Sequence, residues 1–195
     1  MKTLKSLSLW VFLLVFPLAF FACSGSDDPE PDPDPNILRL DGDNFSAPIF
    51  PANVSHETAM QFPATMVDPY VGRSLNSVEV FIGDIPDFME IRVYEEGNAN
   101  NPGDLLLSQE VQVSGENGRF KTFALSNPPT IPEGDLWISV VVESSFEGQI
   151  IGCDPGPAVS GGDWYVEGSG PFRTFRSFTQ GEVNINWNIR GVVGN

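Results

Sequence analysis

The 195-residue sequence predicts an all-β fold, a sandwich of two antiparallel sheets, and three observations carry that expectation. Several short segments alternate apolar and polar residues, the mark of strands with one face buried. The 19 Gly and 17 Pro gather between those segments, where turns belong. No stretch after residue 36 sustains a 3.6-residue period, so long amphipathic helices are not expected. A chain of this length suits one domain.

Taken in chain order, the first strong element has Val78, Val80 and Ile82 on one face and Glu79 and Phe81 on the other. Met89, Ile91 and Val93 then alternate with Glu90, Arg92 and Tyr94. Leu105, Leu107, Val111 and Val113 share a face, with Ser108, Glu110 and Gln112 opposite. Leu136, Ile138, Val140 and Val142 form the most apolar set. Ile185, Trp187, Ile189 and Val193 point inward, with Asn184, Asn186, Asn188 and Arg190 expected to face away. Weaker strands are expected at 59–67 (interrupted by Pro63), 120–125 and 164–167. Turn residues separate them at Gly83-Asp84, 98–104, 114–118 and 127–135. Residues 148–180 are rich in Gly and Pro and poor in alternation, and such a long irregular segment is where function is expected.

Composition narrows the function. Lys and Arg number 10 against 26 Asp and Glu, a formal −16, and an acidic protein lacks the basic face that nucleic acid requires. One His and two Cys cannot build a Cys/His zinc site or a disulfide-dense scaffold.

Residues 1–22 read as a secretory signal: Lys2 and Lys5, an apolar run from Leu7 to Phe21, then Ala22 at the cut. Cys23 follows at once, and Leu18–Cys23 resembles a bacterial lipoprotein signal in the relaxed form used by Bacteroidetes. The resemblance implies a membrane anchor through lipid on Cys23; an ordinary signal peptide with a Cys at the cut is the plain alternative. Residues 23–36 then form a tether, in which alternating Pro and acid cannot bury apolar surface. Its Ser-Asp-Asp start is similar to the export signals of Bacteroidetes surface lipoproteins, which implies an outer-membrane location facing the medium; a periplasmic spacer is the alternative. The domain is expected at 37–195, where 21 acids face 8 bases, a formal −13, and Lys121 is the single lysine.

Several short motifs fall in order: Asn101-Pro102-Gly103-Asp104-Leu105-Leu106, Leu136-Trp137-Ile138, Gly152-Cys153-Asp154-Pro155-Gly156-Pro157-Ala158, Gly162-Asp163-Trp164 and Asn186-Trp187-Asn188-Ile189-Arg190. Together they resemble the jelly-roll adhesin-like modules of Bacteroidetes cell-surface proteins, relatives of the gingipain cleaved-adhesin domains. The resemblance implies a jelly roll without catalysis, engaged in adhesion to a glycan or a host or cell-surface protein. Those modules usually accompany a catalytic domain and a sorting domain, which this sequence does not show; Cys23 would replace the latter.

No HExxH, GxSxG or phosphate-cradling glycine loop occurs. His56 and Cys153 could pair only if the fold joined them, and a Cys in a Gly-Cys-Asp-Pro turn more simply packs as a small residue. An unmarked carboxylate pair would make a polysaccharide hydrolase, and an accessory subunit of an outer-membrane complex is a further alternative to a monomeric binder. No cofactor is expected except calcium, for which Asp41 and Asp43 of Asp41-Gly42-Asp43-Asn44 offer clustered oxygens; a turn opening the first strand explains them as well. The candidate ligand site is Asp154, Asp163, Trp164, Tyr165, Phe172 and Arg173, with Phe175 and Arg176 nearby: flat rings stack on sugar faces while charged groups hold hydroxyls. The same rings could plug the end of the sandwich.

Overall fold

A computed structural model describes residues 35–98 and 100–194. Cys23 and the signal and tether segments up to residue 34 lie outside the described residues. Among the described residues, ten strands form two antiparallel sheets that do not close into a barrel, which is the expected all-β sandwich. The strands are β1 (Ile37–Leu38), β2 (His56–Phe62), β3 (Leu75–Ile82), β4 (Phe88–Tyr94), β5 (Leu105–Glu110), β6 (Arg119–Ala124), β7 (Leu136–Glu143), β8 (Trp164–Glu167), β9 (Arg173–Thr174) and β10 (Ile189–Val193). One sheet runs β1-β10-β3-β6 and the other β5-β4-β7-β2-β8-β9.

Position in the sheet explains composition. Strand β7 lies between β4 and β2, so both its edges are paired; the core covers its inner face and the taller side chains of the neighbouring strands shield its outer one, and every residue from Leu136 to Val142 is buried. Edge strand β5 is half-exposed instead: Leu105 stays 53% accessible, outside the shared buried face that its alternation predicts. On edge strand β6, Lys121 pairs with the inward Val80, and its ammonium donates to the Ser114 and Glu116 carbonyls at 2.7 and 2.6 Å. A charge pointing inward at an edge discourages another strand from docking there.

Three further expectations are corrected. Strand β2 stops at Phe62, and Ala64–Val67 is a one-turn helix, α1, followed by a 3-10 turn at Asp68–Tyr70. Pro63 cannot supply a ladder N–H, and Ala64 N–H is held by Asp135 Oδ1 at 2.8 Å, which turns the chain away. In the last segment only Ile189–Val193 is regular strand, and Asn186 and Asn188 are buried rather than facing solvent. Finally, residues 148–163 are not an open loop: Gly148, Ile151 and Cys153 make single bridges to Phe50, Ile82, and Ser46 and Trp187. This segment seals one side of the sandwich. A second one-turn helix, α2 (Phe175–Phe178), follows β9.

Between the sheets, Met60, Phe62, Val80, Ile82, Ile91, Val93, Ile138 and Val140 make the core with Trp187 and Tyr165. The sheets approach closely at Gly191, where a Cβ would sit 2.8 Å from Ile138 Cδ1 and 3.0 Å from Leu75 Cδ1.

Candidate functional site on the outer face of the six-stranded sheet

Strand alternation sends every second residue of β4, β7, β2 and β8 to the face turned away from the core. The pairing register arranges these residues in rows across the strands. Tyr94, Trp137 and Gln61 form one row, then Arg92, Ser139, Ala59 and Trp164, then Glu90, Val141, Glu57 and Val166. Small Ala59 and Ser139 make a floor between taller neighbours.

The polar half of this face is a connected network. Glu57 accepts from Ser139 Oγ at 2.6 Å, Tyr94 Oη at 3.1 Å and Arg92 Nη1 at 3.2 Å. Arg92 also donates through Nε to Glu90 at 2.8 Å, and the Ser108 hydroxyl donates to Glu90. Burial opposes ionisation of Glu90, but the bonds from Ser108 and Arg92 outweigh it and hold its carboxyl below the ordinary value. Burial, reinforced by the Glu57 charge, pushes the Tyr94 phenol up to about 12, so it remains a neutral donor.

The aromatic half stands beside it. Trp137 packs on Trp164 at 5.1 Å between ring centroids and meets Phe172 edge-on at 5.9 Å. Trp164 Nε1 donates to Gln61 Oε1 at 3.1 Å, and Gln61 Nε2 donates to Asp135 Oδ2 at 2.7 Å. The Trp137 indole N–H is buried and has no partner. Trp137 and Trp164 are themselves buried, so the rings this face turns outward are those of half-buried Tyr94 and Phe172; beside carboxylates, an amide and a guanidinium, they can take a ligand with both apolar faces and hydroxyl groups.

The residues singled out from the sequence do not form one site. Trp164 and Phe172 belong to this outer face, but Tyr165 is 1% exposed and points inward against Phe175 and Phe178. Arg173 pairs opposite Tyr165 and stacks over the Phe178 ring at 4.3 Å. Asp163 is fully buried and pins α2 through Arg176, with Oδ2 accepting from the Arg176 backbone N–H and Nε at 3.1 Å each. Asp154 fastens three segments, accepting from Gly42 N, Gly156 N and Asn186 N at 2.8–2.9 Å and from Asn186 Nδ2. Although burial works against its charge, these donors keep the Asp154 carboxyl below the ordinary value.

Of the oxygens expected for calcium, those of Asp41 are engaged elsewhere. Asp41 Oδ2 accepts from Asn188 Nδ2 at 2.7 Å and lies 2.8 Å from Arg190 Nη2, while Asp43 is exposed. A guanidinium thus already holds the Asp41 charge, and among the described residues no three His, Cys, Asp or Glu converge to hold a metal. His56 and Cys153 are likewise committed separately. His56 Nδ1 meets Tyr165 Oη at 2.8 Å and Nε2 meets the Pro51 carbonyl at 3.2 Å. Burial, with the Asp154 charge beside it, pushes the Cys153 thiol up to about 11, far from a reactive thiolate.

Sequence reasoning missed Glu57, Gln61, Arg92, Tyr94 and Trp137 as site residues. The signal was present in the outward half of each alternating strand, but only pairing register shows that these halves share a face.

No family model and no curated protein matches the chain. Among solved structures it is similar to the clostridial cysteine protease Cwp84 after propeptide cleavage, at 14% identity and TM-score 0.57, over 84% of this chain and 41% of that one. It is similar, too, to the structure of the cysteine protease and lectin-like domains of Cwp84, a surface-layer-associated protein of Clostridium difficile, at 12% identity and TM-score 0.53, over 84% of this chain and 37% of that one. The chain thus spans about two fifths of the solved chains it matches, and the likeness is one of fold. Among the described residues no helix is long and apolar enough to cross a membrane. The chain is a two-sheet β-sandwich that shares its fold with part of a surface-layer-associated protein.

Proposed function

We propose that this chain is a surface lipoprotein, anchored through Cys23 in an outer membrane, whose β-sandwich is a non-catalytic module that binds a glycan. The observation that carries the binding reading is the outer face of the six-stranded sheet, where Glu57, Arg92 and Gln61 stand beside the half-buried rings of Tyr94 and Phe172, on a buried base of Trp137 and Trp164. Sugars need both kinds of contact, rings against their C–H faces and fixed polar groups on their hydroxyls. A solved structure of similar fold that includes a lectin-like domain supports the same reading. Catalysis fits the face poorly. A glycosidase acid must stay protonated near neutral pH, whereas Glu90 is driven towards the charged form and Glu57 is spent on Arg92, Tyr94 and Ser139. The N-terminal lipoprotein signal and acidic tether support display on a Bacteroidetes-type cell surface.

A glycan array probed with the full-length protein tests the binding reading, with Arg92→Ala as the paired control. Binding of a glycan that drops about tenfold in Arg92→Ala is the expected result. Binding unchanged in that variant would move the site elsewhere. Membrane fractionation of Cys23→Ala tests the anchor: the variant should leave the membrane fraction and lose acyl label.

A further inference from the structure

Building on the glycan reading above, we infer that the ligand is a linear, uncharged oligosaccharide of about four units lying along the strands of the outer face, its two ends held in clefts at opposite ends of the sheet. The first cleft, about 410 Å³, opens where β2 and β4 begin and β7 ends, and is lined by Asn53, Ser55, Asp87, Phe88, Glu143 and Ser144. The second, about 190 Å³, opens at the other end of the same strands, lined by Gln61, Glu96, Asn98 and Asp135. Phe88 and Glu143 pair in register and continue the outward rows of the face, so the first cleft is its extension. Six residue steps along residues 55–61 at about 3.3 Å each span about 20 Å, the reach of about four linked pyranose rings.

Two buried polar groups without partners lie on this path. Trp137 Nε1 sits in the row beside Gln61, next to the second cleft, and Ser144 Oγ belongs to the lining of the first. A buried donor left unpaired is costly, and a hydroxyl-rich ligand would supply an acceptor for each.

Charge selects against acidic glycans. The path carries Asp87, Glu143, Glu57, Glu90, Glu96 and Asp135, and the cation among them, Arg92, is already shared by Glu57 and Glu90. The Ser145 hydroxyl and backbone N–H hold the Asp87 carboxyl below its ordinary value, so it stays charged. A uronate or sulfate would meet these carboxylates with no free cation among the path residues to offset them.

Calorimetric titration of the full-length protein with gluco-, manno- and xylo-oligosaccharides of two to six units, and with oligogalacturonate and heparin fragments, tests the inference. For at least one neutral series, affinity should rise up to about four units and then level. Glu143→Ala and Glu96→Ala, exposed residues at opposite ends, should each weaken the four-unit ligand about fivefold. The polyanions should not bind. Affinity that stops rising at one or two units, tighter binding of the polyanions, or indifference to both variants overturns the extended neutral groove while leaving a glycan binder standing. Failure of every sugar in both the titrations and the array overturns the glycan reading itself.

Discussion

Asp154 shows what a single residue does here and how far its role could be foreseen. Its place in a Gly-Cys-Asp-Pro turn suits a ligand-holding loop, yet its partners Gly42 and Asn186 are 112 and 32 residues away in sequence. Nothing local announces that closure, so a loop fastener reads like a binding acid. Truncation tests the role. Asp154→Ala strands buried donors and should lower unfolding free energy by about 2–4 kcal/mol in urea titration. The pH dependence has a definite sign. The folded carboxyl titrates below its unfolded value of about 3.9, so its stabilisation is complete above that pH and fades as pH falls through the depressed folded value. Wild type should therefore lose more stability than Asp154→Asn between about pH 4 and pH 2, measured by thermal melts. Equal losses in the two proteins would remove Asp154 from the acid response.

At the scale of elements, alternation is legible wherever one face is wet and the other dry, as in β4, whose Met89, Ile91 and Val93 are buried beneath half-exposed Glu90, Arg92 and Tyr94. It is less legible where both faces are covered. Asn186 and Asn188 alternate like an outward row, but the segments around Asp41 and Asp154 lie over them and supply their partners. The candidate site suffered the same way: Trp137 reads as one more apolar residue of β7, although it faces away from Ile138 and the core. Sheet packing itself gives a test at Gly191 of β10. Its lack of a side chain admits Ile138 of β7, so Gly191→Ala should cost about 1–3 kcal/mol by overpacking. Ile138→Val removes the offending Cδ1, although Leu75 Cδ1 still crowds the site at 3.0 Å. The double variant should thus be more stable than the sum of the two single losses by at least about 0.5 kcal/mol in denaturant titrations. Strict additivity would mean that the sheets slide apart rather than clash.

Across the whole molecule, the decisive quantity is the charge of the domain. Its 21 acids against 8 bases give −13, and this surplus repels itself in the folded state more than in the expanded chain. Salt should therefore stabilise the fold. Raising NaCl from 0.01 to 0.15 M shortens the screening length from about 30 Å to about 8 Å, well inside the span of the sheets. A gain of about 1 kcal/mol, or about 2–4 °C in melting temperature, is the expected response. Binding should behave differently. An uncharged ligand releases no counterions and gains nothing from long-range attraction, so its affinity should stay within about twofold over the same salt range. The Arg92 network supports this, because its one cation is already paired with Glu57 and Glu90 before a ligand arrives. Melting and calorimetric titration in the same buffers measure both quantities at once. A melting point that climbs while affinity holds still fits an acidic shell around a neutral-sugar groove. An affinity that falls steeply with salt would place charge pairing at the centre of recognition and rule out the uncharged ligand.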